Sequence, residues 1–207
     1  RALFPIPSLT MHFVMRADAG VAKFADLEGK TIIIGKGSFG ANQAAKYIEA
    51  FGLDGKVTLA DVELNQAVGA LKDGQVQGFV TAGSWPAPNV IEAAAGTPVT
   101  LLSFSDEEIK EVKGTKTVIP AGTYPGVDEA TSTTSLPVGV YTTDAMDDDT
   151  AYAVTKAFWD NRAKMAESDG WWKGVSAEML STMAGKLHPG AAKYYAEAGI
   201  AVPDDMK

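Results

Sequence analysis

The sequence predicts an α/β fold, because short apolar runs alternate with stretches of helical composition along most of the chain. Several β-branched runs end at a glycine-rich turn, and a helical stretch follows each turn. This alternation is typical of βαβ units around a largely parallel sheet. The 207 residues, 46% of them hydrophobic and 21% charged, supply enough apolar material for a real core.

The first two thirds of the chain contain most of the expected strands. Large apolar residues predict a strand at 11–16, and a β-branched run at 31–34 is typical of a buried parallel strand. An alanine-rich apolar stripe that ends before Gly52 predicts a helix over 41–51. The same signals predict short helical turns within 18–29, strands at 57–59, 76–81 and 99–104, and helices at 64–72, 89–95 and 106–112.

The last third predicts one strand, at 136–142, and then mostly helices. Asp147 opens a long helix that runs to about Glu167, because acidic residues at a helix start cap its N–H groups and complement its dipole. The acidic cluster lacks the ligand spacing of a calcium loop, so a helix start is favoured over a metal site. Two further helices are expected, at 177–184 and 189–198.

The two histidines are expected to have structural roles. His12 lies inside an apolar strand, where a hydrogen-bonded structural histidine is favoured over a ligand. His188 directly precedes Pro189, so it is expected to cap the last helix or to make a contact between lobes.

The acidic composition excludes several classes of function. Lys and Arg number 18 and Asp and Glu 26, so the net charge is −8, and no basic run is present. We therefore expect no nucleic-acid partner and no binding to anionic lipid. Prolines and glycines interrupt the apolar stretch 74–104, so no membrane insertion is expected. The absence of cysteine excludes thiolate chemistry, and the sequence predicts no cofactor, no metal and no signal peptide.

A glycine-rich turn from Gly35 to Gly40 joins the buried strand to the following helix. Unpaired N–H groups at such a helix start, together with the helix dipole, favour an anion. The turn is neither a Walker motif nor a dinucleotide fingerprint. A tight turn that needs glycine dihedrals explains it equally well when the turn is taken alone.

A second turn, from Thr81 to Pro88, favours an anion site over a purely structural turn. Both turns follow strands of the expected sheet, and open α/β folds bind ligands at the carboxyl ends of their strands. Amides, hydroxyls and Trp85 describe a pocket for a small polar anion. No general acid or base stands beside either turn, which favours binding without catalysis.

Seven motifs, in the same order, resemble the TAXI-type solute receptors of tripartite ATP-independent periplasmic (TRAP) transporters. The resemblance extends along essentially the whole chain. The motifs are MRADAGV at 15–21, FADLEGK at 24–30, GSFG at 37–40, ALKDGQV at 70–76, FVTAG at 79–83, PAGTY at 120–124 and LHPGAAKYY at 187–195.

This resemblance implies a type II periplasmic binding fold with two lobes of parallel or mixed sheet flanked by helices. Residues 18–132 would form an intact second lobe, and residues 1–17 and 133–207 would be remnants of the first. Members of the family have about a hundred further residues before the first residue of this chain, a length typical of a domain. The first lobe is therefore expected to be incomplete here.

The resemblance also implies the function and the site. The chain would be a periplasmic receptor, not an enzyme, that delivers a small anionic or zwitterionic solute, a carboxylate or an amino acid, to TRAP permease subunits. Two alternatives stay open, the ligand-sensing domain of a regulator and an anion-binding transferase. The ligand-binding residues would be Gly37, Ser38, Phe39, Gly40 and Ala41 in the first turn, Thr81, Ala82, Gly83, Ser84 and Trp85 in the second, and Thr123 and Tyr124 as weaker candidates.

Overall fold

A computed structural model describes residues 1–60 and 62–207 of the chain. The chain divides into two compact units. The larger unit is Leu9–Leu136, and the smaller unit combines Arg1–Ser8 with Pro137–Lys207. The assignment of these units to two lobes of a binding protein stays a proposal.

The strands are β1 (Ala2–Arg16), β2 (Thr31–Ile33), β3 (Thr58–Ala60), β4 (Gly78–Gly83), β5 (Val99–Leu101), β6 (Thr115–Ile119) and β7 (Thr131–Tyr141). Strands β2 to β6 lie entirely within the larger unit. Strands β1 and β7 each include residues of both units. The helices are α1 (Phe39–Ala50), α2 (Ala67–Lys72), α3 (Pro88–Gly96), α4 (Asp106–Glu111), α5 (Asp148–Ser168) and α6 (Pro189–Glu197).

The strands form one mixed sheet. Their order is β3-β2-β4-β1-β7-β6, and β5 also pairs with β1. Strand β2 runs parallel to β3 and β4, whereas β1 is antiparallel to β4 and β5, and β6 is antiparallel to β7. A mixed sheet flanked by helices is therefore confirmed. The expectation that the sheet is largely parallel was wrong, because strand direction depends on the connections and local composition does not reveal it.

Successive residues of a strand point to opposite faces of the sheet, and helices cover both faces. On β4, Val80 belongs to one buried cluster and Phe79 to the other. We call the Val80 side the first face, which α1 and α4 cover with Tyr47, Ile48 and Ile109 among others. The Phe79 side is the second face, and α2 and α3 cover it.

Helices α5 and α6 dominate the smaller unit. Its core includes Phe4, whose ring stacks on that of Phe158 with centroids 4.1 Å apart. Asp147 caps α5 by accepting a hydrogen bond from the Thr150 N–H at 2.8 Å, which confirms the helix start predicted there. His188 is confirmed as the cap of α6, since its Nδ1 accepts from the Gly190 N–H at 3.2 Å.

Several elements differ from the sequence prediction. Strand β1 begins at Ala2 instead of residue 11, and β7 begins at Thr131 instead of residue 136. The helix expected at 177–184 is a 3-10 turn over Ala177–Thr182, and strand β6 was not predicted at all. Strand β6 is an edge strand whose Thr-Lys-Thr start is polar and largely exposed, so its composition carries little strand signal. Among the described residues, no helix is both long and apolar enough to cross a membrane.

Candidate functional site

The first turn leads from β2 into α1 and is shaped by its glycines and by Ser38. Gly35 and Gly37 have φ angles of +74° and +66°, in the left-handed region that favours glycine. Ser38 is the N-cap of α1, and its Oγ accepts a hydrogen bond from the Ala41 N–H at 3.0 Å. The tight-turn interpretation is therefore correct for this segment, and it leaves open what the helix start can bind.

The amide N–H groups of Phe39 and Gly40 are the open donors of this turn. Neither has an acceptor within the described part of the chain, because the first residues of a helix have no partner one turn earlier. The partial positive charge of the helix N-terminus adds to these donors. The turn can therefore hold an anionic group with two backbone amides.

Three donor groups of residues expected to bind the solute already donate within the protein. The Ala41 N–H donates to Ser38, and the Ser38 hydroxyl also lies 3.4 Å from the Ile34 carbonyl oxygen, to which it donates. The Ser38 N–H donates to the Gly35 carbonyl oxygen at 3.1 Å. These donors of Ser38 and Ala41 stabilise the turn itself, and a role of the two residues in solute binding stays a prediction.

The side chain of Phe39 borders a separate space. A cavity of about 170 Å³ lies beside α1, and Phe39, Gln43 and Tyr47 line it along one side of the helix. The Tyr47 hydroxyl lies 3.0 Å from the Thr134 hydroxyl in this region. Phe39 therefore contributes its backbone N–H to the turn and its ring to the flank of α1.

The second turn leads from β4 into α3. Thr81 is buried, and Ala82, Gly83, Ser84 and Trp85 are half-buried. The Trp85 ring packs against the cluster on the second face of the sheet, and the peptide bond that follows it, to Pro86, is cis. Trp85, the aromatic residue expected in the pocket wall, is therefore held in place by the part of its ring that contacts the core.

Gly40 brings the two turns together. A Cβ atom placed on Gly40 would lie 3.1 Å from the Ala82 backbone nitrogen and 3.3 Å from the Ala82 Cβ. Such distances leave little room for any side chain, so the first turn of α1 and the end of β4 touch backbone to backbone. The contact follows from the parallel pairing of β2 and β4, whose carboxyl ends reach the same edge of the sheet.

Tyr124 lies beneath the second turn, on the second face of the sheet. It is 1% exposed, its hydroxyl oxygen accepts from the Ala87 N–H at 2.9 Å, and the same hydroxyl is 2.8 Å from His12 Nε2. Tyr124, a weaker candidate for ligand binding in the sequence, is therefore packed beneath the turn. Thr123 donates its hydroxyl proton to the Pro120 carbonyl oxygen at 2.7 Å, and no described contact joins it to the first turn.

His12 completes this buried hydrogen-bond network. Its Nδ1 lies 3.0 Å from the Thr10 carbonyl oxygen, so Nδ1 carries the proton and Nε2 accepts from Tyr124. Burial lowers the pKa of His12 to about 4, and burial also raises the pKa of Tyr124 to about 12. Both groups are thus neutral at neutral pH, and the structural role expected for His12 is confirmed.

Sequence reasoning missed Ala87 as part of this arrangement. It is the N-cap residue of α3, a position at which its methyl side chain can offer no hydrogen bond. The available signal was Pro88, which is favoured at the first position of a helix and places the cap one residue earlier. Nothing local could identify the acceptor, because Tyr124 lies 37 residues further along the chain.

Within residues 1–60 and 62–207, no three His, Cys, Asp or Glu side chains are grouped so that they could hold a metal ion. Neither turn contains an Asp, Glu, His or Cys in its own sequence. The hydrogen-bond donors in the two turns include backbone amides, the Ser84 hydroxyl and the Lys36 ammonium group.

Comparison with known proteins identifies a family match and a set of distant structural likenesses. The profile of the NMT1-like family matches residues 1–199. Similar solved structures include the GluR0 ligand-binding core from Nostoc punctiforme in complex with L-glutamate, with 13% identity and a TM-score of 0.42 over 82% of this chain and 62% of that chain. A putative L-cystine ABC transporter from Listeria monocytogenes has 14% identity and a TM-score of 0.48 over 84% of this chain and 62% of that one.

A third solved structure is the putative periplasmic sulfonate-binding protein SsuA from Methylobacillus flagellatus. It has 16% identity and a TM-score of 0.47, over 93% of this chain and 50% of that chain. The present chain therefore spans between half and 62% of the length of these three proteins. Likenesses at this level assign no ligand.

Proposed function

Because the chain belongs to the NMT1-like family, which its match over residues 1–199 shows, we propose that it is a solute-binding protein of the type II periplasmic binding class. The protein would bind a small carboxylate or amino acid outside the cytoplasm and deliver it to a membrane permease. The narrower assignment, to TAXI receptors with a TRAP-type permease as partner, is supported by the seven sequence motifs.

The observation that carries this proposal is the contact between the two glycine-rich turns. Gly40 packs against Ala82, so the open N–H groups of Phe39 and Gly40 lie beside the end of β4. An anionic group placed on these amides would also meet the second turn, where Gly83, Ser84 and Trp85 are half-buried. Convergent backbone donors next to small and aromatic residues are typical of pockets for small polar ligands.

The charge pattern favours a solute with one localised negative group. Neither turn contains arginine, so no bidentate guanidinium contact forms there, and amides and the helix dipole are the proposed partners of the carboxylate. Gly37 would contribute backbone that a solute can approach closely, since it has no side chain and is exposed. Neither turn contains Asp, Glu, His or Cys, and Lys36 is the one ionisable side chain in their sequences, a composition that favours binding over turnover.

A thermal-shift screen tests the proposal. Succinate, L-glutamate, L-alanine and taurine, each at millimolar concentration, are compared with glucose and adenosine monophosphate. A ligand that binds only the folded state raises the melting temperature, and a concentration a hundred times its Kd adds about 2.7 kcal/mol of stability. We expect at least one carboxylate to raise the melting temperature and glucose to leave it unchanged. A shift by glucose or the nucleotide alone would refute the site chemistry.

The transporter class is tested separately from binding. Permease genes beside the gene for this chain, without a gene for an ATP-hydrolysing subunit, would agree with a TRAP-type partner. An adjacent ATPase gene would instead indicate an ABC transporter, and it would leave the proposed solute site unaffected.

A further inference from the structure

The Tyr124 ring fills space in the core, and its hydroxyl in addition makes two buried hydrogen bonds. Its hydroxyl accepts from the Ala87 N–H and faces His12 Nε2, whose ring is held in turn by the Thr10 carbonyl oxygen. All three bonds are between 2.8 and 3.0 Å long. A phenylalanine would fill the same volume, but it could neither accept from Ala87 nor donate to His12.

The network holds both ends of the second turn. His12 is the register partner of Thr81, the last fully buried residue of β4. Ala87, at the other end of the turn, is 4% exposed, so its buried N–H needs an acceptor. The side chain at the third helical position, which supplies that acceptor in a capping box, is Val90 and has no oxygen. The segment between them, which includes Ser84 and Trp85, is therefore fixed at its start and at its end.

The two faces of the sheet contribute different supports to this turn. Ala82 packs with the cluster on the first face, where Gly40 of α1 contacts it. Tyr124 and Ala87 belong to the cluster on the second face. The end of β4 thus lies between the start of α1 and the Tyr124 network. Loss of the network would remove the support on the second face and leave the contact between Ala82 and Gly40 in place.

We propose that Tyr124, oriented by His12, is a positioning residue that fixes the backbone of the second turn for solute binding. The inference rests on the proposed function, because it assigns the purpose of the network to the turn expected to contact the solute. His12 suits this task because it is neutral at neutral pH, so that its Nε2 stays an acceptor for the tyrosine hydroxyl. Tyr124 itself does not touch the solute.

The chain contains a matched control for this tyrosine. Tyr195 is also fully buried, its hydroxyl donates to the Leu3 carbonyl oxygen at 2.8 Å, and it accepts from Trp159 Nε1 at 3.1 Å. Tyr124→Phe and Tyr195→Phe therefore each remove one donated and one accepted hydrogen bond from a buried ring. Tyr195 belongs to the smaller unit and has no described contact with either turn.

Amide hydrogen exchange in the unliganded protein tests the inference. We expect Tyr124→Phe to accelerate exchange at Ala87 by about tenfold or more relative to Tyr195→Phe, since a buried N–H loses its acceptor. The amides of α1 should exchange at the same rate in both variants. His12→Gln keeps a carbonyl acceptor near the position of Nε2 and should preserve most of the protection, whereas His12→Leu should lose it.

The remaining outcomes decide between the inference and the proposed function. Equal acceleration at Ala87 in the two tyrosine variants, or none in Tyr124→Phe, would overturn the positioning role. Isothermal titration with L-glutamate adds a second measurement, and we expect Tyr124→Phe to raise its Kd about tenfold and Tyr195→Phe to leave it unchanged. A wild-type protein that binds no compound of the screen would refute the proposed function, and the exchange result would still decide the positioning role.

Discussion

His12 shows how burial keeps a histidine neutral, although its hydrogen bond to the Thr10 carbonyl oxygen acts on the pKa in the opposite direction. The ring lies in β1 between hydrogen-bond partners that need one protonated and one unprotonated nitrogen. A second proton would turn Nε2 into a donor facing the tyrosine hydroxyl and would place a charge in a buried site. The neutral form is therefore part of the folded state at neutral pH.

We predict that His12 makes stability depend on pH in the mildly acidic range. Its pKa is about 4 in the folded state and 6.5 in the unfolded chain, so the unfolded state binds more protons between these values. The free energy of unfolding should be unaffected above pH 6.5 and should fall by about 3 kcal/mol as the pH decreases to 4. Urea unfolding at several pH values measures this slope, and His12→Gln should flatten it. An equal slope in the variant would contradict the assignment.

At Gly40, the absence of a Cβ atom allows the start of α1 to contact the end of β4. A Cβ there would lie 3.1 Å from the Ala82 nitrogen, so Gly40→Val should force the two turns apart. We expect it to lower the free energy of unfolding by about 1–3 kcal/mol, as overpacked substitutions do, and to abolish solute binding. Gly69→Ala is the control, because α2 leaves open space at that position. Gly69→Ala should be neutral or stabilising by about 0.5–1 kcal/mol in the same unfolding assay.

At the level of elements, the start of α1 combines a structural cap with a proposed binding surface. Ser38 occupies the N–H of Ala41 and leaves those of Phe39 and Gly40 open. At this helix start the Ala41 N–H serves the fold, and the N–H groups of Phe39 and Gly40 are the ones proposed to bind the solute.

Removal of the Ser38 cap should affect both properties. Ser38→Ala is expected to cost about 1 kcal/mol of stability and to weaken solute binding, because the first turn of α1 loses its fixed direction. Ser105→Ala provides the control, since Ser105 caps α4 by accepting from the Glu108 N–H at 3.2 Å. Denaturant unfolding should show a similar loss in both variants, and calorimetry should show weaker binding only in Ser38→Ala. Weaker binding in both variants would indicate a general loss of stability.

The elements that could be predicted from sequence are those with a strong local signal. Strand β2 has a β-branched run that stops at glycine, and α5 has an acidic start, so both were located within one or two residues. Strand β6 was missed because its exposed polar start resembles a loop. The direction of β1 relative to β4 could not be predicted, since it depends on a connection of about sixty residues.

The site was predictable only in part, for the same physical reason. Glycine-rich turns after two neighbouring strands could be recognised locally, and their contact through Gly40 follows from the parallel pairing of β2 with β4. The occupation of the Ser38 hydroxyl is a local capping pattern that could have been foreseen. The role of Tyr124 could not, because its partner His12 is 112 residues away.

At the scale of the whole molecule, each unit has a core of its own. The clusters on the two faces of the sheet consist of residues from Leu9–Leu136, and the third cluster consists of residues from the smaller unit. A core made of its own residues is what allows a segment to fold alone.

We therefore predict that residues 9–136, expressed without the rest of the chain, fold into a stable domain. Circular dichroism should show a cooperative thermal transition, and dispersed amide signals should appear in a nitrogen–proton correlation spectrum. His12→Gln in this fragment should show the same flattened pH dependence as in the full chain. A broad, non-cooperative transition would show that the larger unit needs the other residues for its stability.

On the proposed function, the absence of a side chain at Gly40 also limits how the solute specificity can change. A larger solute would need more space between the start of α1 and the end of β4, which are about forty residues apart in the sequence. The two backbones are in direct contact, so a change in one segment alone cannot create that space. New preferences should therefore arise through paired replacements, one in each stretch. Libraries that randomise both together should yield altered binders far more often than libraries that vary either one.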